Sequence, residues 1–136
     1  MRIDSAGRVT QPFQPMVSCL SADTNGTTLA GYFAIGQAVP EVNIGSAYNT
    51  TTRLFTCPIA GRYRVSVSAA SGDNQSHFLA PVKNGVAQTG FSLFYTSFNT
   101  AAQSVIISCA ANDTLGAMSR YNTGLYAAQI SIELIG

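Results

Sequence analysis

Few residues of this chain could catalyse a reaction, and they are widely separated. The one histidine, His77, falls in a predicted loop without a defined nucleophile partner. The sequence contains no G-x-S-x-G, phosphate-loop or H-E-x-x-H motif. The six carboxylates are too dispersed for spacing to identify a glycosidase pair; they are Asp4, Asp23, Glu41, Asp73, Asp113 and Glu133. We therefore predict that the chain is not an enzyme.

The three cysteines, Cys19, Cys57 and Cys109, do not form a metal-binding or disulfide pattern. Their number is odd, no two are spaced as C-x-x-C, and there is no second histidine. Each lies in an apolar or strand-like run, which predicts a small buried thiol. We expect no metal and no cofactor. Buried free thiols suit assembly in a reducing cytoplasm.

The chain is poor in charge. Lys, Arg, Asp and Glu make up 10% of its residues, where ordinary globular proteins carry about 25%. Ser, Thr, Asn and Gln, 42 residues together, must supply the polar surface instead. A neutral surface lets subunits associate without burying charges, which is costly. The composition favours an oligomer, although Ser and Thr are also common on the faces of ordinary strands.

Two classes of partner are not predicted. The net charge is +1 and the seven basic residues are scattered, whereas a nucleic-acid site needs several on one face. No apolar run reaches the 18 or so residues that span a bilayer. The N-terminus lacks the apolar core of a signal peptide. We expect neither nucleic-acid binding nor membrane insertion.

Strand patterns dominate the chain. Residues 62–69 and 129–134 alternate between apolar and polar side chains, which predicts half-buried strands. Residues 104–109 are almost continuously apolar, which predicts a strand covered on both faces. Further strands are predicted at residues 16–20, 78–82 and 91–95.

Turn residues separate these strands. Asn84-Gly85 is the strongest hairpin signal, because this pair accepts the positive φ angles of a type I′ turn. Pro81 suggests an edge or a bulge. Apolar spacing near two and strands every 8–12 residues or so predict an all-β sandwich or barrel without helices. This domain covers residues 16–136, after an extended leader at residues 1–15.

Five residues in the middle of the chain resemble the signature of C1q/TNF-like globular heads. They are Asn43, Tyr48, Phe55, Gly61 and Tyr63, separated by steps of five, seven, six and two residues. The tetrapeptide Phe-Thr-Cys-Pro at residues 55–58 and the Lys-Asn-Gly hairpin at residues 83–85 are also similar to the family. The resemblance covers roughly residues 16–136. It implies a jelly-roll sandwich of about ten antiparallel strands that forms a homotrimer.

The signature residues have a structural interpretation. Phe55 and Tyr63 can face one another from neighbouring strands and seed the core. Gly61, after Pro58, gives a tight start to the strand that contains Tyr63. We therefore expect the signature to hold the fold and any binding site to lie elsewhere.

Loops at the tip of such a head are the candidate binding site. The resemblance implies that both chain ends lie at the base, next to a stalk, so antiparallel alternation puts every second loop at the tip. Counting back from the last strand gives loops near residues 71–77, 95–101 and 120–124. Aromatic rings beside amides and an arginine suit sugar binding. The candidates are Asp73, Asn74, His77, Tyr95, Phe98, Asn99, Arg120, Tyr121 and Asn122.

Residues 2–9 resemble a short element that recurs in bacteriophage tail-fibre and other virion-fibre proteins, often before a terminal domain. The resemblance implies the head of a phage tail or virion fibre, acting in trimerisation and in binding a host-surface glycan or protein. Its partners would be copies of itself, other virion or stalk proteins, and a bacterial surface glycan or protein. It would be assembled in the bacterial host cytoplasm and would act in the virion.

A secreted or spore-coat C1q/TNF-like ligand or lectin domain is the alternative. Such a protein would be extracellular, and its glycosylation motifs at Asn25, Asn49, Asn74 and Asn112 could carry glycans. Neighbouring genes would separate the two functions.

Overall fold

A computed structural model describes residues 2–3, 5–7, 9–10, 14–24, 28–29, 31–71, 77–88, 92–94, 100–120 and 125–136. Within these residues every regular element is a β-strand. The strands are β1 (Arg2–Ile3), β2 (Val9–Thr10), β3 (Met16–Ala22), β4 (Thr28–Leu29), β5 (Tyr32–Ala34), β6 (Val42–Ile44), β7 (Tyr48–Asn49), β8 (Leu54–Thr56), β9 (Gly61–Ser71), β10 (His77–Lys83), β11 (Val86–Ala87), β12 (Ser92–Phe94), β13 (Thr100–Cys109), β14 (Thr114–Ser119) and β15 (Leu125–Leu134).

The strands form two main antiparallel sheets. The five-stranded sheet has the order β13-β9-β15-β3-β6. The eight-stranded sheet has the path β11-β10-β14-β5-β4; β12 also pairs with β10, β8 with β14, and β7 with β8. This arrangement confirms the predicted all-β sandwich.

The core lies between the two sheets. The five-stranded sheet contributes alternate residues of its strands, because successive side chains of a strand point to opposite faces. These residues include Val17, Cys19, Tyr63, Val65, Ile130 and Ile132, all at most 1% exposed. The eight-stranded sheet faces them with Phe55, Leu79, Leu115 and Ala117.

The eight-stranded sheet also buries side chains on its other face. Phe78, Ala80 and Val82 of β10 alternate with the core residue Leu79 and form a second apolar cluster with Met118 of β14. Strands β10 and β14 are therefore covered on both faces.

The prediction that residues 104–109 form a strand covered on both faces is wrong. They belong to β13, which lies at the edge of the five-stranded sheet and alternates between exposed and more buried side chains. Ile106, for example, is 53% exposed. An apolar run has the same composition whether a second layer of the same chain or nothing in the chain covers it, so sequence alone does not separate the two cases.

The Asn-Gly hairpin is confirmed. Lys83 pairs with Val86, and Asn84 and Gly85 have φ angles of 48° and 78°, as a type I′ turn requires. Pro81 lies opposite Ala117 of β14, and its carbonyl accepts a hydrogen bond from the Gln88 amide on the other side. Its missing N–H therefore lies on the side of β10 that faces β11, away from the pairing with β14.

The first residues add a feature that the sequence did not predict. Within the predicted leader, β1 and β2 pair as a small hairpin, with Arg2 opposite Thr10. The chain therefore turns back on itself before it reaches β3. The domain boundary near residue 15 stays a prediction.

The register of the five-stranded sheet defines two ends of the sandwich. At one end, here called the base, the Leu134 amide donates to the Pro15 carbonyl and the Arg62 amide donates to the Gly136 carbonyl. At the other end, here called the far end, Ser71 lies opposite Leu125. Strand β9 runs from base to far end, and its eleven residues span about 33 Å.

Candidate functional site

The signature residues act as scaffold. The Asn43 Oδ1 atom accepts a hydrogen bond from the Tyr48 amide at 3.3 Å, and the Asn43 Nδ2 atom donates to the Tyr48 carbonyl at 3.4 Å. Tyr48 lies opposite Phe55 in the pair β7–β8. The asparagine thus closes the loop between β6 and β7.

Phe55 and Tyr63 form an edge-to-face contact with ring centroids 5.8 Å apart. The contact was predicted, but not its location: Phe55 belongs to the eight-stranded sheet and Tyr63 to the five-stranded sheet, so the rings meet across the sandwich rather than from neighbouring strands. The Tyr63 hydroxyl donates to the Ile59 carbonyl at 2.8 Å.

Gly61 is required for a reason different from the one predicted. Its φ angle is not positive; instead, a Cβ atom there would lie 2.6 Å from Leu134 Cδ1 and 3.1 Å from the Gly136 carbonyl oxygen. The glycine allows the end of the chain to pack against the start of β9.

The outer face of the five-stranded sheet is lined by small neutral side chains. One row of paired residues crosses four adjacent strands and consists only of serines: Ser104, Ser66, Ser131 and Ser18. The Ser66 and Ser104 hydroxyls are 2.9 Å apart. We call these four residues the serine row. The next row toward the far end consists of Ala102, Ser68 and Gln129.

A second kind of row lies about 7 Å from the serine row, toward the base. It consists of Ile106, Arg64, Glu133, Met16 and Ile44, which pair in this order across all five strands. Arg64 Nη1 donates to Glu133 Oε1 at 3.1 Å. The terminal isoleucines of this row are 53% and 43% exposed. We call these five residues the charged row.

The centre of this outer face is a shallow depression of about 370 Å³. The serine row, Ser68, Ala102 and Gln129 are among the residues that line it, with Leu20 at one side. Sequence reasoning missed this surface. Its signal is present, however, because the residues that point away from the core in β3, β9, β13 and β15 are mostly Ser, Gln, Ala or Ile.

The three cysteines are buried free thiols, as predicted. Desolvation, together with a smaller contribution from the neighbouring Cys109 thiol, raises the pKa of Cys57 to about 12. Burial also raises the pKa of Cys19 and Cys109. Such thiols are poor nucleophiles at neutral pH. In the described part of the chain, no three His, Cys, Asp or Glu side chains are grouped so that they could hold a metal ion.

A polar cluster ties the Asn-Gly hairpin to the turn before β14. Asp113 accepts hydrogen bonds from Asn84 Nδ2 and from the Ala110 amide, each at 2.8 Å, and its Oδ2 atom lies 3.1 Å from Lys83 Nζ. These contacts, the Asn84 bond first, lower the pKa of Asp113 to about 2. Asn112 takes a φ angle of 72° in the same turn.

Sequence reasoning also missed one buried charge. Arg53 is 2% exposed, and its Nη2 atom lies 3.1 Å from Asp23 Oδ1. Gly36 makes room for it, since a Cβ atom there would clash with the Tyr48 hydroxyl and with the Arg53 side chain. The pattern around Arg53 is that of an ordinary polar turn and contains no signal for this burial.

Most of the predicted tip residues lie outside the described residues. These are Asp73, Asn74, Tyr95, Phe98, Asn99, Tyr121 and Asn122. His77 is the first residue of β10, opposite Phe94, and Arg120 is exposed directly after β14. The strand ends that flank the three loops lie together at the far end: Ser71 opposite Leu125, and Thr100 opposite Ala70. The assignment of individual binding residues stays a prediction.

Comparisons with known proteins agree with this architecture. The C1q domain family matches residues 37–133, which is more than two thirds of the chain. Among solved structures, the globular domain of the zebrafish complement 1qA protein superposes with a TM-score of 0.60 at 18% identity, over 90% of this chain and 98% of that chain. No curated protein sequence matches. None of the described residues forms a helix that is long and apolar enough to cross a membrane.

The family also limits the kind of activity. C1q domains are structural or ligand-binding modules rather than enzymes, and they typically associate as trimers. The spacing from Asn43 to Tyr63, the two sheets and the family match lead to the same conclusion: this chain belongs to the C1q domain family.

Proposed function

We propose that the chain is a homotrimeric head that binds a ligand on a host surface through the loops at its far end, as the terminal domain of a phage tail or virion fibre. The observation that carries the trimer is the outer face of the five-stranded sheet. It combines small, neutral side chains with exposed apolar residues.

The chemistry of this face suits association between copies. Serine and alanine side chains let a second backbone approach closely, and their hydroxyls can be satisfied by hydrogen bonds when water leaves. Leu20 and Ile106, 52% and 53% exposed, would lose apolar surface to the partner. Burying so few charges avoids the large desolvation cost of an ionic interface.

The far end is the proposed ligand-binding end. The segment that enters β3 and the last strand meet at the base, where the Leu134 amide donates to the Pro15 carbonyl, so a stalk and neighbouring virion proteins would attach there. The three loops at the opposite end are free to vary without disturbing this junction. Their aromatic, amide and arginine residues suit a bacterial glycan or surface protein.

The virion context rests on residues 2–9 and on the thiols. The resemblance of these residues to a virion-fibre element supports a fibre, and three buried free thiols suit assembly in the bacterial cytoplasm before release. The sheet face and the loops themselves would serve a trimeric head in any location.

Light scattering tests the trimer. We expect a mass three times the 14.3 kDa of one chain. Ile106→Arg should reduce the mass to that of a monomer, because the arginine would be buried between copies without a partner. Val86→Arg is the matched control: Val86 is 63% exposed in β11 of the other sheet, and the trimer should persist. A monomeric wild-type chain would refute the proposal.

Adsorption of the labelled head to a panel of bacterial cells and surface glycans tests binding. Tyr121→Ala should reduce adsorption at least tenfold, whereas Ile59→Ala, at the base, should leave it unchanged. Equal adsorption by the two variants would remove Tyr121 from the site. Adsorption to none of the panel, by a head that is trimeric, would argue for a purely structural cap.

A further inference from the structure

We infer that Arg64 and Glu133 determine the register in which copies of this chain associate, each pairing with the opposite charge on a neighbouring copy. This inference rests on the proposed trimer and names the residues that specify it.

The position of the two residues is unusual for this protein. On β3, β9, β13 and β15 the outer face has only three charged residues, Arg62, Arg64 and Glu133. The latter two lie at the middle of the charged row, with Ile106 at one end and Ile44 at the other. A chain with so few charges places one of each sign side by side on a face whose other side chains are mostly small and neutral.

The bond within one copy does not explain this placement. Arg64 is 46% and Glu133 35% exposed, and one hydrogen bond of 3.1 Å joins them. An ion pair that is this accessible to water contributes little to the stability of a single chain. The bond uses one of the five N–H groups of the guanidinium and one of the two carboxylate oxygens, so both groups keep capacity for a second partner.

The ion pair between Arg64 and Glu133 should contribute more to the association of copies than to the stability of a single chain. When Ile106 and Ile44 pack against another copy, they exclude water from the charges between them, and electrostatic interactions strengthen. Shifting the serine row along another neutral surface changes the free energy of association little. A shift that buries a charge away from its opposite charge costs much more, because the charge is then desolvated without a partner. In a threefold assembly the same contact recurs between each copy and the next, so Arg64 of one copy would meet Glu133 of its neighbour at all three contacts.

Mixing of charge-reversed chains tests this inference. Arg64→Glu makes the pair wholly negative and Glu133→Arg makes it wholly positive. Each variant alone should dissociate at a concentration at least tenfold higher than the wild type, measured by light scattering and native mass spectrometry. A mixture of the two should form mixed trimers, because two of the three contacts then join opposite charges.

If Arg64 and Glu133 interact only within one copy, mixing the two charge-reversed variants should give a different result. Mixing then restores nothing, because no chain in the mixture regains its own ion pair. Val86→Arg mixed with Val86→Glu is the matched control and should give a random distribution of trimers. If a charge-reversed chain fails to fold, Arg64→Gln and Glu133→Gln replace it, and each should weaken the trimer and lower its salt dependence.

The outcomes separate the two proposals. A monomeric wild-type chain refutes the trimer, and this inference with it. A trimeric wild-type chain whose charge-reversed variants stay equally trimeric, or whose mixtures show no preference for mixed trimers, refutes only the role of Arg64 and Glu133.

Discussion

The contact between Phe55 and Tyr63 should couple the two sheets energetically. Both side chains are fully buried, and their rings meet edge to face with centroids 5.8 Å apart. We propose to replace each by leucine, singly and together, because leucine keeps most of the apolar burial and removes the ring–ring geometry.

The expected magnitude follows from the contact. Each single replacement should cost about 0.5–3 kcal/mol of unfolding free energy, because leucine is smaller than the ring and leaves part of its space unfilled. Tyr63→Leu also removes the hydrogen bond to the Ile59 carbonyl, which is worth about 1 kcal/mol. That bond is lost whether or not Phe55 is present, so it cancels in the double-mutant cycle. The remaining coupling should be about 0.5–1.5 kcal/mol.

Urea unfolding followed by circular dichroism measures the cycle. Protein concentration must be the same for all four chains, because the proposed trimer would add a concentration-dependent contribution to stability. Phe55→Leu combined with Val86→Ala, at the far-removed exposed strand β11, is the control and should be additive within about 0.5 kcal/mol. A coupling between Phe55 and Tyr63 that is no larger than this control would refute the view that the rings link the sheets.

Two further predictions follow from the titratable groups. Hydrogen bonds from Asn84, Ala110 and Lys83 hold the pKa of Asp113 at about 2, below its ordinary value near 4, so its contribution to stability is complete above pH 4 or so and is lost as the pH falls toward 2. In urea titrations, Asp113→Asn should lower the free energy of unfolding at pH 7 and flatten its pH dependence between about 4 and 2. An unchanged pH dependence would contradict this. Burial raises the pKa of Cys57 to about 12, so a thiol reagent at pH 8 should modify Cys57 roughly three orders of magnitude more slowly in the folded chain than in urea. Mass spectrometry of the labelled peptide measures the two rates. Equal rates would show that the thiol is accessible in the folded chain.

The fold was predictable because several independent signals agree. The alternation around Tyr63 marks one face of β9, Asn84-Gly85 fixes a hairpin, and the spacing from Asn43 to Tyr63 resembles one family. Each signal depends on residues close in sequence, or on turn chemistry that few residue types allow. These are the properties that a single sequence displays.

Three-dimensional details depended on residues far apart in the chain. The residues next to Ile106 in the sequence are the same whether β13 is an inner strand or an edge strand of the sheet. Only the order in which the strands pair shows that β13 is an edge strand. The reason for Gly61 lies in the last three residues of the chain, where Leu134 and Gly136 approach it. The serine row likewise needs the register of four strands.

The candidate site was predictable only as a location. The alternation of strands predicts that three loops share one end, and the described strand ends agree, with Ser71 opposite Leu125. Which loop residues contact a ligand depends on side-chain positions that alternation does not determine. The outer face of the five-stranded sheet was not predicted, since its serines look like ordinary strand surface.

Strand β13 has a consequence for the solubility of a single copy of the chain. Its ten residues contain neither a charge nor a proline, the two common devices that stop an edge strand from pairing with a foreign chain. Within the described residues, strand pairing protects only the side facing β9. A single copy in solution therefore exposes an edge to which a strand of another chain can add, and this is a route to aggregation.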